Sequence, residues 1–575
     1  MFLILADITA AMLFLSGASS PEDLSETEIE RFEQLSRHRL HLNSAGRSRL
    51  ISCGLFSAYQ IASLEDYRSR YGDILSFTEL SAVDGFGEEY AEALSYFVSL
   101  ENPGQGRALA RPIRQNLLLR ASGRRKNTDQ AGASGIKYSF SAGDRLDIHF
   151  SRRSSYTDDA GMPTLSAAFS GKSGWRLLAG DFNARFGQGL AFWSGFSMSG
   201  FSSADAFRKN GSGLSSTSSF SPSLRGLGLD FQAGRYSFCA AVDLPASRDG
   251  PEGCVLPVAS VGYLSRNYSL GVQAWSLFSE NPAVLPASAA SIDWRIGAGY
   301  FNFFGELAGS VKAGDGPVED WAILAGVMWS PAYKTRFSLL LRHYGKDYAG
   351  QYAGAVRSSS KVRDEDGLSF GARYKWISAT ADYARHPQKR SSRAKLLLNL
   401  CPEFRVGKDL ENPLSLAPSL RCIIKESNGV RRKELRSDLA MHWQGLHAGY
   451  RFHTVACKET SWLQYFETGY KNAGDPSREQ TVSPSLMLRA TIFCIDNWQD
   501  NIYCYERDIP GAFSSPAYYG RGYALSLLGS LRFRHTAGRK HLRHSLHLRG
   551  SLLSADRLSA PLIQKEVKIQ YQLDL

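Results

Sequence analysis

Hydrophobic positions follow two regimes along this chain, first one of three to four residues and then one of two. In the first regime, Ser25-Glu26-Thr27-Glu28 has the form of a capping box, and Ile29, Phe32 and Leu35 follow at helical spacing. Leu42-Asn43-Ser44-Ala45 leads into a helical pattern that ends at Ser52-Cys53-Gly54-Leu55-Phe56, and the segment Ala58 to Arg68 closes at Gly72. Ser76-Phe77-Thr78-Glu79 is a second capping box, whose short helix runs into Val83-Asp84-Gly85-Phe86-Gly87. A last helix through Tyr90, Leu94 and Phe97 stops before Asn102-Pro103-Gly104. The pattern predicts a small all-α unit over residues 20–105.

From about residue 110 the period becomes two. Ile136, Tyr138, Phe140 and Ala142 alternate with Lys137, Ser139 and Ser141, and Leu146, Ile148 and Phe150 follow across Gly143-Asp144. Ile292, Trp294 and Ile296 alternate with Asp293 and Arg295; Phe301, Phe303, Leu307 and Val311 with Asn302 and Glu306; Phe337, Leu339 and Leu341 with Arg336, Ser338 and Arg342. The last residues repeat the pattern, with Val567, Ile569, Tyr571, Leu573 and Leu575 against Lys568, Gln570, Gln572 and Asp574. A soluble β-sandwich also alternates, but it rarely sustains alternation over so many segments. The persistence predicts a large antiparallel transmembrane β-barrel over residues 106–575, with roughly 20–24 strands of about ten residues and an even strand number. A helical membrane protein is disfavoured, since mean hydropathy is −0.25 and no later apolar run reaches the roughly 18 residues of a spanning helix.

Charge divides the chain at the same place. Residues 20–100 hold 14 acidic and 7 basic side chains, whereas the whole chain carries +12, so the strand-rich part is strongly basic. Ahead of both lies the apolar stretch Met1 to Ala18, ending in Ser16-Gly17-Ala18, which has the form of a cleaved export signal over residues 1–19; a buried N-terminal helix of the mature fold is the other reading. The eight cysteines (Cys53, Cys239, Cys254, Cys401, Cys422, Cys457, Cys494 and Cys504) show neither CxxC nor Cys/His ligand spacing, so neither a metal site nor a cofactor is expected, and disulfide pairing is left open.

The helical unit resembles the tandem helix-hairpin-helix domain of ComEA-like competence proteins, in which a Leu-Asn-Thr-Ala segment precedes two Gly-hydrophobic-Gly hairpins with a Tyr-Arg…Gly segment between them. The likeness covers about 60 of the 575 residues. Gly85-Phe86-Gly87 fits the second hairpin; the first reads Gly54-Leu55-Phe56 and lacks its closing glycine, which a phosphate-binding hairpin uses for positive φ and exposed amides. Glu88 and Glu89 follow Gly87 where phosphate contact favours Lys or Arg. The whole chain resembles a largely uncharacterised family of Bacteroidota outer-membrane barrels with such a domain, through Gly180-Asp181-Phe182, Phe186-Gly187-Gln188-Gly189-Leu190, Trp193, Tyr503-x-Tyr505-Glu506-Arg507-Asp508-Ile509-Pro510-Gly511 and Phe513-Ser514. That resemblance implies an outer-membrane location with the helical domain in the periplasm.

Candidate chemistry is sparse. Phe186 to Leu190 has no following Lys-Ser/Thr and reads as a structural bend rather than a phosphate loop. Glu506, Arg507 and Asp508 form the densest charge cluster and read as an ion-pair network in the lumen. His541, Arg543, His547 and Arg549 share one strand face opposite Leu542, His544, Leu546 and Leu548; as a lumen lining they would favour anionic solutes, and as paired side chains they would merely fill it. The Ser-rich stretch Ser194 to Ser223 and the charged stretch Lys361 to Asp366 read as long loops, of a kind that usually faces outward and that can plug the pore, bind a ligand or shield the surface. The function expected is a non-enzymatic one in envelope transport or assembly, with outer-membrane lipid around the barrel and a periplasmic protein docked on the helical unit. Duplex DNA is the alternative partner, and a lumenal hydrolase the third reading, with no catalytic residue identified.

Overall fold

The computed structural model describes residues 4–101 and 113–575, apart from 19, 38, 144, 158–160, 172–173, 196–202, 210, 221–223, 245–253, 266, 282–283, 314–317, 407–413, 472–481, 538–539 and 558–560. The boundary expected near residue 105, the segment Phe196 to Gly200 and the side chain of His541 lie outside the described residues.

Alternating residues build one closed antiparallel barrel of 24 strands, counted among the described residues, from Ile113–Lys126 to Leu562–Asp574. The last strand pairs with the first from Asn116↔Asp574 to Lys126↔Gln564, which removes every free edge. At the end of the barrel bearing this closing pair, most connections are tight turns, such as residues 234–235, 299–300, 375–376 and 444–445. At the other end stand the long connections 186–223, 345–364 and 496–519. Gln444 and Gly445 both have positive φ, 45° and 86°, as a two-residue turn matched to strand twist requires.

The burial pattern is inverted relative to a soluble protein. Ile292, Leu307, Leu341 and Val567 are about half exposed, while Glu306, Arg342, Arg549 and Gln570 on the alternate positions are buried inside the barrel. A backbone with every ladder bond closed and an apolar outer wall is the β solution to a bilayer. Exposed aromatics gather beside the turn-end connections, among them Phe231, Tyr236, Tyr268, Tyr300, Phe301, Trp329, Tyr333, Tyr374, Trp376 and Trp443, as interfacial girdles do.

The helical part comprises α1 (Ile4–Ser16), α2 (Glu26–Arg37), α3 (Arg47–Ser52), α4 (Ala58–Tyr71), α5 (Phe77–Ala82) and α6 (Glu88–Leu94). A parallel bridge of Leu40–His41 with Val98–Ser99 ties the segment after α2 to the segment after α6. Asn43 pins the interior, donating to the carbonyls of Ile74 and Leu100 at 2.8 Å each and accepting from the Ile74 amide at 2.9 Å. Gln60 donates to the Gly85 carbonyl at 2.9 Å, and Phe56 packs on Phe86 at 5.9 Å between ring centroids. Phe56, standing where a phosphate-binding hairpin would close with glycine, is a core residue joining the two glycine turns. The stretch read as an export signal is α1, which packs against α6 through Phe14 and Tyr90.

The expected bounds of the charged loop are corrected: it ends at Asp364, and Glu365 and Asp366 already belong to the strand Glu365–Tyr374, where Glu365 is the inward partner of Arg342. Of the roles open to the long connections, filling the pore is the one their positions fit. The described parts of 186–223, 345–364 and 496–519 turn into the lumen, where Tyr348 Oη donates to the Leu190 carbonyl at 3.0 Å.

The wall reading makes a quantitative expectation. Leu339→Arg, outward and midway along the strand Thr335–Tyr344, should cost about 2–4 kcal/mol in urea unfolding from lipid vesicles, as a charge at the bilayer midplane does. Loss of no more than about 0.5 kcal/mol, normal for an exposed site in water, would contradict it.

Candidate functional site: the filled lumen

The charge division in the sequence becomes contact in three dimensions. The acidic helical unit sits in the turn-end mouth of the basic barrel and is tied to it around most of the circumference. Glu22 pairs with Arg451 at 2.6 Å and Arg436 at 3.3 Å, and Asp23 with Arg421 at 3.7 Å. Glu30 pairs with Lys137 at 2.5 Å, both side chains being about nine-tenths buried. Glu89 reaches Arg373 at 3.4 Å and Arg336 at 3.6 Å, Glu92 accepts from the Tyr333 hydroxyl, and Arg47 reverses the sense with Asp230 at 3.0 Å. Arg295 lies over the Tyr59 ring at 4.2 Å. Apart from Tyr333, which lies in a turn, these wall residues lie on strands from Asp129–Ala142 round to Leu446–Ala456. An external partner expected to dock on acidic residues would therefore find Glu22, Asp23, Glu30, Glu89 and Glu92 already engaged by the chain's own barrel.

The remaining sector of wall is covered by the connection 496–519. Glu506 accepts from Arg549 and from the Tyr518 hydroxyl. Asp508 accepts from Lys568 at 2.6 Å, and Arg507 donates to Glu467 at 2.8 Å. Arg120 on the first strand donates to the Pro510 carbonyl at 2.9 Å, and the Tyr505 amide donates to Glu22 at 3.3 Å. The cluster Glu506, Arg507, Asp508 is thus an ion-pair network, each member holding a different strand. The same network decides the predicted basic face: His547 and Arg549 do point inward and are buried, but Arg549 is neutralised by Glu506 and Glu566. Arg543 remains on the cavity wall.

Phe186 to Leu190 is a lumenal turn immediately after the strand Trp175–Arg185, not a bend within it. The buried Glu306 carboxylate accepts from the amides of Gln188 at 2.7 Å, Leu190 at 3.0 Å and Ala191 at 3.1 Å, and from Gln273 and Ser291 besides. Gly187 has φ 52°, and a Cβ there would stand 2.8 Å from Glu306, so only glycine permits the approach. Sequence reading missed Glu306, Glu467 and Glu22 as anchors; the only signal was that each is a carboxylate on an inward or capping position.

Between the helical unit and the wall lies a cavity of about 1820 Å³. The turns at Gly54, Leu55, Gly85, Phe86 and Gly87 border it, so the faces that would meet a nucleic-acid phosphate are turned into the barrel. The described residues contain no cluster of three or more His, Cys, Asp or Glu side chains that could hold a metal.

No family model matches the chain, and no curated protein matches it. Solved structures similar to it include the P pilus usher (PapC) translocation pore, with 11% identity over 80% of this chain and 99% of that one and a TM-score of 0.39. An E. coli P pilus tip assembly intermediate, PapC-PapD-PapK-PapG, gives 10% identity over 82% of this chain and 62% of the other at a TM-score of 0.45. The outer membrane protein opdK from Pseudomonas aeruginosa gives 9% identity over 81% and 99% at 0.28. With a tenth of the residues shared and overlays this loose, the class rests on the chain's own geometry: a large closed barrel with an apolar exterior and an occupied interior.

Two measurements follow. Burial raises the Glu22 pKa, but Arg451 and Arg436 beside it outweigh burial and hold it well below the usual carboxylate range. A depressed carboxyl pKa stabilises above the unfolded value and is lost as pH falls through the folded one. Seating of the helical unit, read by hydrogen exchange, should therefore hold constant from about pH 8 to 5 and loosen only well below pH 4.5. Glu306→Gln, which replaces an acceptor of several N–H groups by an amide, should cost about 1–3 kcal/mol and raise amide exchange at Gln188, Leu190 and Ala191 roughly tenfold or more.

Proposed function

We propose that this chain is a non-enzymatic outer-membrane barrel serving transport or assembly in a Gram-negative envelope, with its helical unit seated as a plug in the periplasmic mouth. The observation that carries the reading is the ring of ion pairs between acidic plug and basic wall, enclosed by an apolar exterior. Tight turns lie on the plug's side and long connections on the other, which suits a periplasmic turn end and an external loop end. We read the two glycine-turn helix pairs, α3 with α4 and α5 with α6, as a tandem helix-hairpin-helix fold put to structural use.

A periplasmic protein partner would meet what the barrel leaves uncovered. That is the turn after α4, where Tyr71 and Leu75 are 71% and 83% exposed beside Asp73. Duplex DNA is the weaker alternative, because it would need turns that border the cavity between helical unit and wall and a first hairpin whose Phe56 is buried. We read α1 as a removable export segment: the carboxylates that seat the plug, from Glu22 to Glu92, all follow it.

The plug reading is tested by conductance in planar bilayers. The full chain should be closed or nearly so, and Glu22→Gln/Glu30→Gln/Glu89→Gln should open it in discrete steps; an equally conducting unmodified chain would overturn the plug. For α1, mass spectrometry of the protein purified from native membranes should find a chain beginning at Ser20. A mature chain retaining Met1 to Ser19 would make the helix part of the plug.

A further inference from the structure

Most lumenal arginines are matched by carboxylates. Arg342 has Glu365 and Asp382, Arg451 has Glu22 and Asp438, Arg489 has Glu467, and Arg549 has Glu506 and Glu566. Around the cavity under the plug the rule fails. Arg31 lies over the Phe32 ring, and its Nε is buried without a partner. Arg185 donates, among the described residues, to the Ser194 carbonyl at 3.3 Å, and lies by the Trp193 ring. Arg208 donates to the Asn302 side-chain oxygen at 3.1 Å, and Arg295 has the face of Tyr59. None of the four forms a salt bridge with a carboxylate among the described residues, and all four border one cavity. The Trp193 indole N–H, on the same cavity, is buried and unpartnered.

Two carboxylates on the cavity, Glu28 and Asp84, lie within electrostatic reach of Arg185 and Arg295 but form no ion pair with them among the described residues, and the others hold partners of their own. Glu28 closes the capping box on Ser25, at 3.0 Å to its amide and 2.7 Å to its hydroxyl, while Glu30 holds Lys137 and Glu89 holds Arg336 and Arg373. Burial, with Arg295 and Arg336 as charged neighbours, pushes the Arg208 guanidinium well below its ordinary range, the direction expected of positive charge without compensation. Guanidinium groups keep their proton in proteins, so deprotonation is not the route by which this charge is relieved. Enclosed charge is stabilised by an opposite charge and hydrogen bonds, and guanidinium forks fit carboxylate and phosphate oxygens in particular.

We infer that the cavity beneath the plug is a binding site for a small polyanion, a solute bearing two or more carboxylate or phosphate groups, held by Arg31, Arg185, Arg208 and Arg295 with the Trp193 N–H as a further donor. The site deepens the transport reading by naming a ligand class, but it rests on the cavity and not on plug movement, so its test is independent of the conductance experiment.

The test uses the full chain, purified and folded in detergent at low ionic strength, titrated calorimetrically with citrate and separately with pyrophosphate. One of the two should bind saturably and weaken as salt rises; the preference between them separates a carboxylate from a phosphate site. Arg208→Gln/Arg295→Gln should weaken that binding at least tenfold, whereas Arg521→Gln, an exposed arginine paired with Asp496, should leave it unchanged. A second measurement needs no variant: the bound anion should raise the thermal midpoint of the unmodified protein above that in sodium chloride of equal ionic strength. No saturable binding of either anion, equal binding by the double variant, or a midpoint matched by chloride would overturn the site.

Discussion

Closure of the barrel around an oppositely charged plug is the constraint on which the rest of this structure depends. A barrel of this size encloses a wide interior, and the strand alternation that gives an apolar exterior turns the alternate side chains inward, where apolar ones such as Phe304 and Leu340 are joined by charged ones such as Glu306 and Arg342. Those inward charges need partners, since an unpaired buried charge costs several kcal/mol. The chain supplies them from its own acidic N-terminal unit. Removing one member of a buried pair such as Glu30–Lys137 typically costs about 3–5 kcal/mol, because the other is stranded, which makes position as well as stability depend on the ring.

Plug and loops divide the interior between them. The helical unit reaches the wall from Lys137 round to Arg451, and the Glu506-Arg507-Asp508 segment takes the arc formed by Glu467, Arg489, Arg549, Lys568 and Arg120. The two fillings meet where Tyr505 donates to Glu22. The turn at Gly187 to Ala191, held on Glu306, extends the filling from a third side. A displacement of the helical unit would thus be felt by the loop that touches the first and last strands of the barrel.

The helical unit shows how one local pattern serves different ends. Two glycine turns between short helices suit phosphate contact when their amides are free and cations stand near. Here Phe56 fills the space between the turns, and Glu89 at the start of α6 binds two wall arginines. The two glycine turns here border the barrel's interior, and the acidic side chains Glu22, Glu30 and Glu89 are turned to its wall.

Much of this architecture was legible along the chain. The strand-rich character of the chain and the inward and outward faces of strands such as Phe301–Lys312 are local properties, set by the two-residue repeat and by residue type. The opposite charges of the two parts were legible too, but their union was not. Glu22 and Arg451 become neighbours only once 24 strands have closed and fixed which inward residues face the mouth. Likewise, Arg549 was readable as lumenal, yet whether it stays a free cation or is spent on Glu506 depends on where a loop folds. The sequence by itself determined a basic barrel and an acidic helical unit, because periodicity and composition are local; tertiary structure decided that one fills the other, because charge pairing across hundreds of residues follows from barrel closure.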